Sequence, residues 1–228
     1  TNVEEIWLVA RRKEALEQLS KEMSHKTRIL PMDVTDEYAM DDFEALLYET
    51  NANVRMLVNC AGYGLIGKFE ELDLDGQLGM LTTNCEALTK LTYLCLPYML
   101  PKSRIINVAS SAAFMPQSGF AVYAATKAYV MSFSRALHHE LYKRKIYVTA
   151  VCPGPVDTAF FDVAEKGGDI LAIKKYVMAK ADVVVDKALR DSYFRKEVSV
   201  YSFPMKLFWV FSKLVPHKMI LLFLRLFR

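Results

Sequence analysis

The stretch from Arg104 to Lys127 reads RIINVASSAAFMPQSGFAVYAATK, and the reading of the fold starts there. Ile105 to Val108 is a short, apolar, largely β-branched run, which predicts a buried strand. Ser110 follows just past its end. From Ala121 onward the chain reads AVYAATKAYVMSFSRALHHEL, without Gly or Pro, which predicts a helix. Positions i and i+4 share one helix face, so Tyr123 and Lys127 project together. A strand, a loop and a helix thus bring a hydroxyl, a phenol and an ammonium to one place.

Those groups form a chemical set. A free tyrosine, with a pKa of about 10, is a poor acid or base at neutral pH. A lysine cation one turn away is expected to favour the phenolate and lower that pKa. A serine hydroxyl can hold a carbonyl oxygen while the tyrosine moves a proton to or from it. The set suits interconversion of a ketone and an alcohol. Tyr-x-x-x-Lys by itself is a common pattern, and Tyr98 to Lys102 and Tyr176 to Lys180 also match it. The first contains Pro101, which argues against a single helix face. Thirteen residues before Tyr98 stands Cys85 and before Tyr176 Val163; only Tyr123 has a serine there.

With these residues in hand, the chain resembles the short-chain dehydrogenase/reductase family over about residues 3 to 200. Ser110, Tyr123 and Lys127 fall on its catalytic positions. Asn59-Cys60-Ala61-Gly62 is similar to its Asn-Asn-Ala-Gly motif, with Cys60 replacing the second Asn. Asn84, in LTTNCEAL, falls where the family has the asparagine of a catalytic tetrad, there supporting a proton-relay water. Pro153-Gly154-Pro155-Val156-Asp157-Thr158 resembles its Pro-Gly motif. The resemblance implies an α/β, Rossmann-like, doubly wound parallel sheet in one domain over residues 1–202, followed by an amphipathic helical tail over 203–228. It implies an NAD(P)-dependent oxidoreductase. Cofactor contacts are then expected from Arg11, Arg12, Asp33, Val34, Asn59, Ala61, Gly62, Tyr123, Lys127, Pro153, Gly154, Val156 and Thr158. NADP is favoured over NAD. Relatives that prefer NAD place an acid at the end of the second strand, where Ala10 stands here, and the next residues, Arg11 and Arg12, can pair with a 2′-phosphate.

The start reads unusually for the family. Ile6-Trp7-Leu8-Val9-Ala10 is a strand, and the resemblance makes it the family's second. The first strand, its Gly-rich turn and the first helix, roughly 25 to 35 residues, would precede it. The sequence is therefore expected to be a partial record of a longer protein, with strands two and four lacking the partner they share in the family. Gly62-Tyr63-Gly64-Leu65-Ile66-Gly67 matches Gly-x-Gly-x-x-Gly and follows a strand, but no long helix begins after it and no acid-ending strand follows at the right distance. It reads as a loop near the nicotinamide and substrate rather than as a pyrophosphate cradle.

Other elements follow from pattern. Strands are expected over 27–32, 55–60, 146–152 and 197–203, and helices over 37–51, over 75–100 carrying Asn84, and up to 196 with Asp182 as cap. Residues 159–181 are expected to form a lid hinged at Gly167-Gly168. Phe114, Met115, Phe160, Phe161 and Met178 point to an apolar ketone or alcohol, steroid-like or acyl.

Composition sets wider limits. The 228 residues suffice for one core, and a net charge of +3 implies no nucleic-acid partner. Cys60, Cys85, Cys95 and Cys152 match no zinc spacing, so no metal is expected; they read as fillers in a reducing, cytoplasmic compartment. Nothing at the start reads as a signal peptide. The tail carries Lys206, Lys213, Lys218, Arg225 and Arg228, no acid, and the runs LFWVF and MILLFL split by Pro216. These runs are far shorter than the roughly 18 to 20 residues of a membrane span. They suit a helix lying in a membrane interface, or one packed on the domain or on a second subunit of a homo-oligomer. The alternative function carried by the sequence is a non-catalytic remnant whose tail binds a membrane or a partner.

Overall fold

The computed structural model describes residues 3–158, 160 and 178–226, and side chains to residue 222. Strands and helices alternate: β1 (Glu5–Ala10), α1 (Lys13–Glu22), β2 (Lys26–Pro31), α2 (Glu37–Glu49), β3 (Met56–Asn59), α3 (Leu74–Leu81), α4 (Leu88–Cys95), β4 (Arg104–Val108), α5 (Ala121–Glu140), β5 (Tyr147–Val151), α6 (Ala181–Tyr193), β6 (Val198–Ser199), α7 (Phe203–Leu214) and α8 (His217–Leu226). All strand pairs are parallel. Parallel strands need helical crossovers, and these cover both faces. In β4, Ile105 packs with Leu137 and Leu141 near the end of α5. Its neighbour Ile106 points the other way, to Val184 and Ala188 of α6. The architecture is the expected doubly wound α/β sheet.

Among the described residues the strands form two hydrogen-bonded sets, β1–β2 and β3–β4–β5–β6. Side chains connect them: Trp7 and Val9 of β1 and Leu57 of β3 pack around Met40, Phe43, Leu47 and Leu94. Val58, mid-strand in β3, is 46% exposed.

Three expectations are corrected. The stretch over 75–100 is not one α-helix: α3 and α4 are joined by a π-helical segment, Thr82–Ala87, with Asn84 inside it. The last strand is two residues long rather than seven, because Ser202 takes a positive φ of 70° and the helix α7 begins at Phe203 with Pro204 in its first turn. Asp182 is not the cap of α6. Lys180 holds that place, and the Asp182 carboxylate accepts from the N–H of Val183. The expected lid, with Phe161, Gly167 and Gly168, lies outside the described residues apart from Phe160 and the stretch from Met178.

Candidate active site

β4 ends at Val108, and the extended Ser110 caps the short 3₁₀ turn Ser111–Phe114 by accepting from Ala112 N–H at 3.1 Å. The carbonyl of Pro153 accepts from Ser111 N–H at 2.7 Å, tying the Pro-Gly segment to this turn. Tyr123 and Lys127 face inward from the first turns of α5, both buried. The Ser110 side chain lies beside Tyr123, near enough to favour its ionised form. Lys127 Nζ donates to the carbonyl of Val108 at 2.8 Å and sits 5.8 Å from the centre of the Tyr123 ring. The three groups expected to converge are brought together.

Electrostatically the site departs from the expectation. Burial pushes the Tyr123 phenol up to about 12, with the neighbouring Ser110 pulling the other way. Burial draws the Lys127 ammonium down to about 8, opposed by the nearby thiols of Cys85, Cys152 and Cys60. The lysine does not lower the tyrosine here. Its head is bonded to a backbone carbonyl rather than to the phenol, and loss of water penalises both charged forms. At neutral pH the phenol holds its proton.

Asn84 is buried, and its amide closes a tight set of contacts. Its Oδ1 accepts from Tyr63 N–H at 3.0 Å, and its Nδ2 donates to Tyr63 O at 2.9 Å and Thr126 Oγ1 at 3.1 Å. The π-helical turn gives this residue its inward reach; such segments recur at functional sites. The loop after β3 is thereby fastened over α5. Gly62 leaves no room for a larger residue, since a Cβ there would lie 2.7 Å from Asn84 Oδ1 and 3.5 Å from Lys127 Nζ. At Gly64 a Cβ would meet the Tyr123 ring at 2.7 Å and Phe160 at 2.9 Å. Gly67 N–H bonds Gly119 O, so this Gly-x-Gly-x-x-Gly is a loop packed on the site and not a helix start.

The other expected cofactor residues are placed as follows. Asn59 is buried; its Nδ2 donates to Thr92 Oγ1 and Asn107 Oδ1, and its Oδ1 is buried with no partner. Ala61 is exposed beside Gly62. Arg11 and Arg12 follow β1. The Arg11 guanidinium lies 3.8 Å from Asp33 and is 79% exposed, while Arg12 precedes α1. The backbone N–H and hydroxyl of Thr35 hold the Asp33 carboxylate, and chiefly that backbone bond lowers its pKa. Val34 packs in the cluster under β1. Pro153, Gly154 and Val156 are half-buried, and Val156 bridges to Ala179. Thr158 is exposed.

Of three further residues at the site, sequence reading named Phe160 among the apolar residues that suggest the substrate, placed Gly64 in a loop near nicotinamide and substrate, and missed Met205. Gly64 and Phe160 stand against Tyr123, with ring centres of Phe160 and Tyr123 5.4 Å apart. Met205 of α7 packs on Gly154, where a Cβ would lie 2.8 Å from its sulfur. The Gly-x-Gly pattern was a signal for Gly64; the place of Met205 depends on distant packing. A separate open cleft of about 640 Å³, lined by Arg55, Lys102, Arg104, Tyr147, Tyr193, Phe194 and Arg195, lies around the starts of β3, β4 and β5. That is the other end of the strands from Tyr123, so it is no part of this site. Among the described residues no cluster could hold a metal ion.

A parallel α/β sheet with Ser, Tyr and Lys gathered past β4 defines a dehydrogenase-type site. The sequence profile of the short chain dehydrogenase family matches residues 3–167, and the chain belongs to that family. An NADP-dependent 3-hydroxy acid dehydrogenase of Escherichia coli is 35% identical over 170 residues, covering 73% of this chain and 68% of its own. An uncharacterized oxidoreductase of Staphylococcus epidermidis is 29% identical over 164 residues, 71% of each chain. Among solved structures, a short-chain dehydrogenase from Sphingobium yanoikuyae in complex with NADPH matches with a TM-score of 0.76 and 29% identity, over 87% of this chain and 78% of that one. A bulky-bulky ketone specific alcohol dehydrogenase from Comamonas testosteroni matches with a TM-score of 0.73 and 26% identity, over 87% and 76%.

Proposed function

We propose that this protein is an NADP-dependent oxidoreductase that interconverts a ketone and a secondary alcohol, with Tyr123 as proton donor and acceptor. The observation that carries this reading is the buried Tyr123 phenol, with the Lys127 ammonium 5.8 Å from its ring centre and the half-buried Ser110 beside it. NADP-dependence of a relative and NADPH in a structural neighbour support the cofactor. The residues fit it: the close-packed Gly62 offers backbone beside Lys127, Asn59 Oδ1 is an unpaired buried acceptor, and Arg11 presents an open guanidinium next to Asp33. Arg11 and Arg12 would hold the 2′-phosphate, and Asp33 and Val34 would flank the adenine. Lys127 would hold the nicotinamide ribose, and Asn59, Ala61, Gly62, Pro153, Gly154, Val156 and Thr158 would line the rest. A nicotinamide, when bound, supplies or takes the hydride.

The chain's own work is proton placement. A phenol raised to about 12 is a protonated donor at physiological pH, which suits the reductive direction. Ser110 holds the substrate oxygen at that phenol. Both N–H groups of Asn84 are already used by Tyr63 and Thr126, so Asn84 positions the loop and keeps only a lone pair of Oδ1 for a relay water. Phe114, Met115 and Phe160 give the surroundings an apolar character that favours an apolar carbonyl substrate. Exposed Leu78, Leu81, Tyr93 and Tyr129 on α3, α4 and α5 offer a surface for self-association.

The test is NADPH consumption over a panel of carbonyl compounds. Tyr123→Phe should lower kcat about a thousandfold while NADPH affinity changes less than about twofold. Undiminished turnover ends the assignment.

A further inference from the structure

The helix α7 has two apolar faces. Met205, Phe208 and Trp209 pack inward on the core around Phe114, with ring centres 5.8 Å (Phe208) and 6.2 Å (Trp209) from that of Phe114, and Ser212 completes the buried face. These positions repeat at helical spacing, i, i+3, i+4 and i+7. The opposite face carries Phe203, Leu207, Val210, Phe211 and Leu214, all exposed; Phe203 is 78% and Leu214 76% accessible. Isolated apolar residues on a surface are ordinary, but a stripe along three turns is not. Lys206 and Lys213 flank this stripe on one side, and Lys213 is braced over the Trp209 ring at 4.1 Å. The helix α8, held to α7 by a bond of His217 to Ser212 O, extends the surface with exposed Met219 and Leu222.

Charge identifies the occupant. Residues 203–228 hold five of the 29 Lys and Arg and none of the 26 Asp and Glu, so this segment carries +5 and the preceding 202 residues −2. A symmetric contact between two copies through this face would set like charges against each other. An anionic lipid surface accepts both the apolar stripe and its basic flank.

We propose that the outer face of α7, with α8, docks the protein on the surface of an anionic membrane, lying in the interface without crossing it. No helix among the described residues is long and apolar enough to cross a membrane. The docked helix has its inner face on Phe114 and Gly154, so the site would open close to the lipid. Entry of an apolar carbonyl from the bilayer rests on the oxidoreductase reading; lipid binding does not.

The experiment is flotation of the full chain with phosphatidylcholine vesicles, with and without phosphatidylglycerol, alongside light scattering for oligomeric state. The expected result is binding that requires phosphatidylglycerol and weakens with salt. It should fall at least about tenfold in Lys206→Glu/Lys213→Glu and vanish in Leu207→Glu/Leu214→Glu. All these side chains are exposed, so thermal unfolding and NADPH titration in solution should match the wild type. Failure of the wild type to float, or variants that float equally well, overturns the proposal. So does a dimer that Leu207→Glu/Leu214→Glu disperses without any vesicle binding. NADPH turnover without vesicles reports separately on the oxidoreductase reading.

Discussion

The two halves of the sheet are built to different standards. Every residue of β5 is buried, and β4 is buried through Ile105, Ile106 and Asn107. In β1 and β2 no residue is fully buried. The β4–β5 half is held by helices on both faces; the β1–β2 half is a single pair of strands packed on α1 and α2, with a rim of ion pairs. The catalytic candidates Ser110, Tyr123 and Lys127 sit on the thick half, and Arg11, Arg12, Asp33 and Val34 sit on the thin one. Proton chemistry needs groups fixed in a dry place, while an adenine and a phosphate can be gripped at a wet rim. Mutations should therefore act on different observables in the two halves.

The largest expected effect breaks the thick half at Lys127. Its pKa falls from an ordinary 10.5 to about 8 on burial. Below pH 8 the folded chain carries a charge whose burial costs about 3 kcal/mol. Between pH 8 and 10.5 the Lys127 contribution to stability rises with pH, because the unfolded chain keeps a proton that the folded lysine has lost. The buried thiols of Cys95 and Cys152, pushed up to about 12 from 9.0, contribute the opposite slope above pH 9. Catalysis should fall through the Lys127 window, because the ammonium is lost above pH 8. Lys127→Met should abolish turnover, as read by kcat/KM, and remove the Lys127 limb from the pH dependence of the urea midpoint between pH 7 and 10. If wild type does not gain stability relative to Lys127→Met from pH 8 to 10, the burial argument is wrong.

Next in size is Gly64→Ala. The added methyl must displace the Tyr123 ring or Phe160. Loss of about 1–3 kcal/mol of stability is expected, as for other overpacking changes. Turnover should fall more than NADPH affinity, since the cofactor rim is untouched. Equal losses in both would mean that the loop, and not the phenol, had moved.

How much of this was visible in the sequence follows the same division. The strand, the serine, the tyrosine and the lysine could be read from Arg104–Lys127 because β-branching and i, i+4 spacing are local signals. The direction of the Tyr123 shift could not, since much of its burial comes from Phe160 and Gly64 arriving from elsewhere. Nor could the π-helical turn at Asn84, which the periodicity of LTTNCEAL hides. The last strand is overextended because Val198 to Tyr201 has strand composition, yet pairing stops at Ser199 and Ser202 turns the chain into α7. In the tail, composition alone left the two faces of α7 undivided.

At the thin half, Arg11→Ala should weaken NADPH about tenfold and leave NADH unchanged, since one guanidinium–phosphate contact is worth roughly 1–3 kcal/mol. Binding titrations of both cofactors give the ratio. An equal loss for NADH would remove the 2′-phosphate assignment and make Arg11 only a partner of Asp33.

The smallest effect belongs to Glu5, which joins β1 to β2. Its carboxylate accepts from Trp7 Nε1 at 2.7 Å and Arg28 Nε at 2.9 Å and pairs with Lys26 at 2.9 Å. Bonds from Lys26 and then Arg28 hold its pKa at about 2, against an ordinary 4.5. A depressed acid stabilises above its unfolded pKa, and that contribution disappears as pH falls from 4.5 toward 2. The network is partly solvated, so Glu5→Gln should cost only about 1 kcal/mol at neutral pH. Its location matters more than its size. Hydrogen exchange should quicken at Leu8 and Ile29, in the paired strands, and stay unchanged at Val148 and Ala150 of β5. If β5 quickened equally, the two halves would unfold as one unit, and side-chain packing of Trp7 and Leu57 around Phe43 would suffice to couple sheets that share no hydrogen bond.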